Sequence, residues 1–275
     1  MNTPTIAFLG CGNMGRCLIG GLLAKGYPAT NVVAADLDAA QLELAAERYS
    51  IRTTFDNQAA IKDAGVVVLA VKPQQIQSVA ASVAGSLNRA GTLAVSIAAG
   101  IRSKDLSRWL GEGTAVVRAM PNTPALVGAG ATAMYANASV TAEQRELAEA
   151  LMANAGMVLW LDDETLMDVV TAVSGSGPAY FFRFMEILSE TGAELGLSNE
   201  VAKALAVHTA YGAARMALDG DLSPQELRVQ VTSSGGTTEH ALNVLKENRI
   251  EHIFSEAIKA ARARSGELAR EFGEQ

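Results

Sequence analysis

The sequence predicts an α/β protein, in which a doubly wound parallel sheet is followed by an all-helical domain. In the first part of the chain, short apolar runs rich in β-branched residues alternate with segments of helical period. This alternation is the pattern of parallel strands joined by right-handed helical crossovers. Beyond Asp162 the hydrophobic period is helical throughout. We therefore expect two domains, at residues 1–162 and 163–275.

Eight apolar runs are predicted to be the strands of the sheet. The run 65–71 is almost continuously apolar and rich in valine, as expected for a strand buried on both faces. It ends at Lys72-Pro73, where proline cannot continue a strand ladder and instead starts a helix. The predicted strands cover residues 6–9, 31–35, 51–54, 65–71, 93–98, 115–119, 131–135 and 158–161.

The helices of the second part are delimited by glycine and by Ser223-Pro224, which are typical stop and start signals. They are predicted at residues 178–195, 198–218, 224–231, 237–247 and 250–272. The first two are apolar on more than one face, with Phe181, Phe182 and Phe184 in the first. Because a helix that is apolar all round must be buried all round, we expect an interlocked homodimer. The alternative is a compact bundle that buries these faces within one chain.

The composition argues against nucleic-acid and membrane partners. The chain has 275 residues, 49% of them hydrophobic and 19% charged, which indicates a folded globular protein. Its net charge of −7 and the lack of a Lys/Arg cluster argue against a nucleic-acid partner. No apolar run is long enough to span a bilayer, so we expect no membrane partner and a cytoplasmic location. Cys11 and Cys17 are interpreted as small packing residues.

A glycine-rich turn follows the first predicted strand. Gly10, Gly12 and Gly15 have the spacing G-x-G-x-x-G that is typical of a Rossmann-type dinucleotide site. The first glycine permits a tight turn, the second lets a pyrophosphate approach the backbone, and the third lets the helix pack closely. The residues expected to bind the cofactor here are Gly10, Cys11, Gly12, Asn13, Met14 and Gly15. The alternative is a strand-to-helix turn with no ligand.

An acidic residue ends the second predicted strand. Asp36 lies about 20 residues after Gly15, where a carboxylate normally accepts hydrogen bonds from the ribose hydroxyls of NAD and would repel a 2′-phosphate. The alternative is that Asp36 or Asp38 caps the next helix. The expected cofactor is NADPH or NADH, with the preference left open by Asp36.

Two further segments combine glycine with hydroxyl residues and precede helices, at residues 173–180 and 232–238. The backbone N–H groups of such a turn can hold a small carboxylate. The alternative is a helix cap with nothing bound. The three histidines have no partner at metal-ligand spacing and no G-x-S-x-G elbow is present, so neither a metal site nor covalent nucleophilic catalysis is predicted.

Six segments together resemble one family. They are residues 10–15, 70–73, 96–100, 120–124, 174–180 and 227–245. In this order they closely resemble pyrroline-5-carboxylate reductase, which performs the last step of proline biosynthesis. Two departures stand out. The family commonly has Ser-Pro-Gly-Gly where this chain has Ser at 234, and many members have a small or basic residue near Asp36 and prefer NADPH.

The resemblance implies a reaction and a site. Hydride would pass from the reduced nicotinamide to the C=N carbon of 1-pyrroline-5-carboxylate, giving L-proline. Thr238 would contact the ring nitrogen and serve as the proton donor. The remaining implied cofactor contacts are Asn57, Ala70, Val71, Lys72, Pro73, Met120, Pro121 and Asn122. The implied contacts to the substrate carboxylate are Ser233, Gly235, Gly236, Thr237 and Thr238.

The resemblance also implies an assembly, in which subunits exchange an all-helical dimerisation domain. This gives at least a homodimer, with a decamer of five dimers as the larger assembly known in the family. Two rival functions remain. A β-hydroxyacid dehydrogenase would need a catalytic lysine in the helix 178–195, which has none. A nucleotide sensor without turnover would lack the second glycine-rich turn, which is present.

Overall fold

The computed structural model describes residues 3–89 and 91–274, which form two compact units. Among the described residues, the first unit extends to Ser176 and resumes at Ala261, and the second is Gly177–Ala260. The two units meet at Ser176 and Gly177, whereas the domain boundary predicted from the sequence lies at residues 162–163. Residues just beyond that boundary pack with the first unit because Glu164 pairs with Arg118 there, at 2.7 Å.

The first unit contains an eight-stranded sheet in the order β3-β2-β1-β4-β5-β6-β7-β8. Its strands are β1 (Thr5–Leu9), β2 (Val32–Ala35), β3 (Arg52–Thr54), β4 (Ala64–Leu69), β5 (Leu93–Ser96), β6 (Ala115–Met120), β7 (Gly130–Ala136) and β8 (Gly156–Trp160). The predicted doubly wound parallel sheet is confirmed. Only the β6–β7 pair is antiparallel among the described strands. Its connection contains just a short 3-10 helix, Thr123–Val127, and is too short for a parallel crossover.

Helices cover both faces of this sheet. They are α1 (Asn13–Ala24), α2 (Ala39–Tyr49), α3 (Asn57–Ile61), α4 (Pro73–Val83), α5 (Ser86–Arg89), α6 (Ser103–Leu110), α7 (Ala142–Met152) and α8 (Met167–Val170), with a π-helix at Thr171–Gly175. Alternate residues of β1 enter two different cores: Phe8 packs with Leu18 on one face, and Leu9 packs with Ile76 on the other. All four are fully buried. The sheet is thus a layer between two apolar cores. The loops at the ends of its strands are not part of these cores and can bind a ligand.

The second unit consists of helices. They are α9 (Gly177–Glu194), α10 (Asn199–Asp219), α11 (Pro224–Gln230), α12 (Thr237–Glu247) and the first part of α13 (Ile250–Gly273). Ser223 and Glu226 form a capping box at the start of α11, as the Ser223-Pro224 signal predicts. Phe184 stacks on Phe254 with ring centroids 5.2 Å apart. Phe181 nevertheless remains 66% exposed, so one chain does not bury the apolar faces of its own helices.

Candidate active site

The turn between β1 and α1 uses its three glycines differently. Gly10 has φ +101°, and a Cβ there would lie 2.6 Å from the carbonyl carbon of Ala70. A Cβ on Gly15 would lie 2.7 Å from the carbonyl oxygen of Gly10, so α1 packs directly onto the turn. Gly12 is the N-cap of α1, and a Cβ there would meet no atom within 4 Å. The start of α1 is therefore open, and no acidic residue lies in its first turn to compete for an anion.

A cleft of about 640 Å³ opens at this turn. It lies at the carboxyl ends of β1, β2 and β4, where parallel α/β sheets bind ligands. The predicted cofactor residues that it brings together are Gly10, Gly12, Asn13, Asp36, Asn57, Ala70, Val71 and Lys72. The open helix terminus and the glycine backbone fit the pyrophosphate of a dinucleotide, because both present N–H groups to the cleft.

The same cleft has lining residues that the sequence interpretation missed. They are Ala35, Leu37, Asp38, Gln41, Gln75, Ser78, Val79 and Ser82. The last four have spacings of three and four on α4 and so share one helix face. Since the resemblance placed Lys72-Pro73 in the cofactor groove, the period of the helix that follows could have identified this face.

Some predicted cofactor residues lie outside the cleft lining. Cys11 is fully buried, and burial raises the pKa of its thiol to about 11, although the charge of Arg16 opposes the shift. The thiol is therefore protonated at neutral pH and is not a nucleophile. Met14 packs partly against the core, Gly15 is buried, and Pro73 is the first residue of α4.

Asp36 is fixed by the backbone on both of its oxygens. Oδ2 accepts a hydrogen bond from the Cys11 N–H at 2.6 Å, and Oδ1 accepts one from the Asp38 N–H at 3.0 Å. The cap of α2 is Asp38, whose carboxylate accepts from the Ala40 N–H at 2.9 Å. Of the two carboxylates considered from the sequence, Asp38 thus caps the helix and Asp36 faces the glycine turn.

The Met120-Pro121-Asn122 segment begins at the last residue of β6 and is not part of the described cleft lining. Asn122 is 9% exposed. Its amide donates to the Ser174 carbonyl at 3.0 Å, and its side-chain oxygen accepts from the Ala131 N–H at 2.9 Å. The segment is therefore fixed to the π-helical turn that carries the predicted Ser174-containing motif.

A partly buried ionic cluster includes Arg118 of the same strand, β6. Glu164 accepts hydrogen bonds from Arg118 at 2.7 Å, from the Ser103 N–H at 2.6 Å and from the Ser103 hydroxyl at 2.7 Å. Burial disfavours its charged form, but the bonds from Ser103 and the charge of Arg118 outweigh burial, and the pKa of Glu164 is lowered. No local sequence pattern predicts this pairing, because the partners come from three separate elements.

The second glycine-rich turn precedes α12 within the helical unit. Gly235 has φ +71°, a conformation that favours glycine, and a Cβ on Gly236 would contact the Ser233 hydroxyl oxygen. The Gly235 N–H donates to the carboxylate of Glu239 at 2.7 Å. Thr237 and Thr238 are the first residues of α12, and Gly236 is its N-cap. A carboxylate oxygen thus already occupies one N–H of the turn.

Two properties of the described residues bear on the function classes. No group of three or more metal-ligating side chains comes together in residues 3–89 and 91–274. Within the same ranges, every helix is too short or too polar to cross a membrane.

Comparison with known proteins identifies relatives over the whole chain. The family model described as pyrroline-5-carboxylate reductase dimerisation matches residues 164–268, and the one described as NADP oxidoreductase coenzyme F420-dependent matches residues 5–100. The pyrroline-5-carboxylate reductase of Pseudomonas aeruginosa is 49% identical over 274 residues, with 100% of each chain covered.

Solved structures give the same result. A pyrroline-5-carboxylate reductase from Coxiella burnetii has a TM-score of 0.92 at 42% identity, covering 98% of this chain and 99% of that one. The Plasmodium falciparum enzyme, solved with NADP bound, has a TM-score of 0.87 at 28% identity, covering 98% and 99%. The chain therefore belongs to the pyrroline-5-carboxylate reductase family, NAD(P)H-dependent oxidoreductases that reduce the C=N bond of 1-pyrroline-5-carboxylate to L-proline in the last step of proline biosynthesis.

Proposed function

We propose that the chain carries out this reduction with its dinucleotide in the cleft at Gly12 and its substrate carboxylate at the turn of residues 233–238. The open N-terminus of α1 carries the proposal, because Gly12 leaves the N–H groups of the first helical turn free to meet a pyrophosphate. Once bound, the reduced nicotinamide supplies the hydride. The other proposed cofactor contacts are those predicted from the sequence, namely Asn57, Ala70, Val71, Lys72, Pro73, Met120, Pro121 and Asn122.

The protein accelerates the reaction mainly by orienting the cofactor and the imine, and less by acid–base chemistry. The ionisable residues that line the cleft are Asp36, Asp38 and Lys72, and no histidine lines it among the described residues. The Cys11 thiol is protonated at neutral pH because of its raised pKa. A cyclic imine is itself readily protonated, so orientation of two bound groups accounts for much of the rate.

The turn at residues 233–238 is suited to a small carboxylate. The Glu239 carboxylate accepts from the Gly235 N–H at 2.7 Å, so a substrate carboxylate would take the place of this side chain at that N–H. We assign the substrate carboxylate to Ser233, Gly235, Gly236 and Thr237, and a hydrogen bond to the ring nitrogen to Thr238. The Thr238 hydroxyl is the proposed proton donor for an imine that binds unprotonated, whereas a protonated imine already carries this proton and needs only the hydrogen bond.

The domain roles and the assembly complete the proposal. Residues 1–162 would bind the cofactor, and residues 163–275 would bind substrate and form the dimer, consistent with the dimerisation match at 164–268. The exposed apolar faces of α9 and α10 support a homodimer in which each site uses both chains. We further propose a decamer of five dimers in the cytoplasm. Light scattering on the purified protein measures the assembly size, and a monomer would refute both.

One assay tests the reaction. Oxidation of NADH and of NADPH is followed at 340 nm, with 1-pyrroline-5-carboxylate and with a 3-oxoacid as alternative substrates. We expect oxidation with the pyrroline only, and L-proline as the product. Oxidation with the oxoacid alone would indicate a hydroxyacid dehydrogenase, and no oxidation with either would indicate a dinucleotide-binding protein without this turnover.

A further inference from the structure

We infer that Asp36 makes this enzyme select NADH over NADPH. The inference rests on the proposed position of the dinucleotide, in which the adenosine ribose lies at the carboxyl end of β2. Asp36 follows β2 directly and lines the cleft. At this place a carboxylate accepts hydrogen bonds from the two ribose hydroxyls, which a 2′-phosphate cannot replace.

The orientation of Asp36 is set by the backbone. Its two oxygens accept from the N–H groups of Cys11 and Asp38, at 2.6 and 3.0 Å. Each carboxylate oxygen can accept a second hydrogen bond, so both remain available to a ribose hydroxyl. Because the bonds come from two different segments of the main chain, rotation of the side chain away from a phosphate would break both.

The charges around Asp36 reinforce the selection. Asp38 lines the same end of the cleft, so a 2′-phosphate would meet two carboxylates. The lysine that lines the cleft, Lys72, follows β4, and β1 lies between β2 and β4 in the sheet. Lys72 is thus on the other side of the glycine turn. Among the described lining residues there is no arginine.

The arginine of α1 is already engaged elsewhere. Arg16 donates to the Cys11 carbonyl at 2.9 Å, to the Asn13 side-chain oxygen at 2.9 Å and to the Gln41 side-chain oxygen. These bonds hold its guanidinium against the turn and α2. Recruiting it to a 2′-phosphate would require breaking them, so it does not offset the two carboxylates.

The test measures binding as well as turnover. Dissociation constants of NADH and NADPH are measured by calorimetry without the pyrroline, and kcat/KM is measured for each with the pyrroline. We expect the wild-type enzyme to favour NADH about 10- to 100-fold in both quantities, the range for hydrogen bonds to a charged group. Asp36→Ser should weaken NADH binding by about the same factor and remove most of the preference.

Two further variants separate the effect of the Asp36 charge from the effect of the net charge of α2. Asp36→Asn keeps the size and removes the charge, so it should weaken NADH and strengthen NADPH. Glu43→Gln removes one exposed charge from α2 outside the cleft lining and should leave the ratio unchanged. Far-ultraviolet circular dichroism checks that each variant is folded, and the wild-type ratio tests the inference even where a variant is not.

Three results would contradict the inference or the proposed cofactor site. Wild-type enzyme that binds NADPH as tightly as NADH, or a ratio unchanged in folded Asp36→Ser, would overturn the inference while reduction of the pyrroline left the proposed function intact. Failure to bind either dinucleotide would overturn the proposed cofactor site, and with it this inference.

Discussion

The Arg118 guanidinium donates a 2.7 Å hydrogen bond to Glu164 inside the first unit, where Arg118 is only 5% exposed. Arg118 lies on β6, and Glu164 begins the short 3-10 helix Glu164–Leu166 that follows β8. Ser103, the first residue of α6, donates to the same carboxylate through its N–H and its hydroxyl. One carboxylate therefore joins three elements.

Replacing Glu164 by Gln should destabilise the fold by about 3 kcal/mol at neutral pH, because removal of one partner leaves the other charge buried and unpaired. Glu146→Gln, an exposed change on α7, is the matched control. Urea unfolding at equal protein concentration compares the two. Equal midpoints for the two variants would contradict the role of the ion pair.

The same carboxylate predicts an acid dependence. The folded-state pKa of Glu164 is lowered, so the stability it contributes is fully present above its ordinary pKa of 4.5 and is lost as pH falls through the lower folded value. Unfolding experiments between neutral pH and pH 3 should therefore show a smaller loss for Glu164→Gln than for the wild-type protein. Parallel curves would mean that Glu164 does not contribute to this loss.

The glycine turn predicts a difference between two alanine variants. Gly12→Ala should fold normally, since its Cβ meets no atom within 4 Å and φ is −69°, but should weaken dinucleotide binding roughly tenfold or more by blocking the approach of the pyrophosphate. Gly10→Ala should misfold because its Cβ would lie 2.6 Å from the backbone of Ala70. Calorimetry and thermal melting provide the two measurements. Wild-type affinity in Gly12→Ala would remove the phosphates from this turn.

Thr238→Ala should lower kcat/KM for the pyrroline by about ten- to a hundredfold, as expected for loss of about 1.5–3 kcal/mol from a hydrogen bond to a charged group. Thr238→Ser keeps the hydroxyl and should retain most of the activity. The KM for the dinucleotide serves as the internal control and should not change. If alanine and serine behave alike and like the wild type, Thr238 is not in the site.

The apolar face of α9 predicts an association defect. Phe181 is 66% exposed on one chain, and a symmetric interface would bury it twice. Phe181→Asp should weaken association by at least about 3 kcal/mol, or roughly a hundredfold, as measured by light scattering over a dilution series. Leu44→Asp on α2, where leucine is 50% exposed, is the control. Two variants that dissociate alike would place the contact elsewhere.

Much of the fold could be predicted from sequence because its signals are local. The strand from Ala64 to Leu69 is a continuous apolar run, and the start of α4 is set by proline. The direction of β7 could not be predicted in this way, because the hydrophobic run 131–135 suits either direction. The short connection between β6 and β7 makes this pair antiparallel.

Part of the candidate cleft could be predicted for the same reason. Gly10, Gly12 and Asp36 have a fixed spacing in the sequence, and all three line the same cleft. Contacts between distant segments carry no such spacing. Ser265 donates to Asp168 at 2.8 Å and so joins the last part of α13 to the first unit, although the periodicity of α13 is continuous with the helices before it.

The position of Asp36 also has a consequence for engineering. Residues 36–38 form a short connection between β2 and α2, and Leu37 is 84% exposed. The segment lines the cleft beside β2, whereas Lys72 belongs to the connection after β4. If Asp36 selects the coenzyme as inferred, the choice depends on a short exposed connection, which could be exchanged between relatives without altering the buried strands of the sheet.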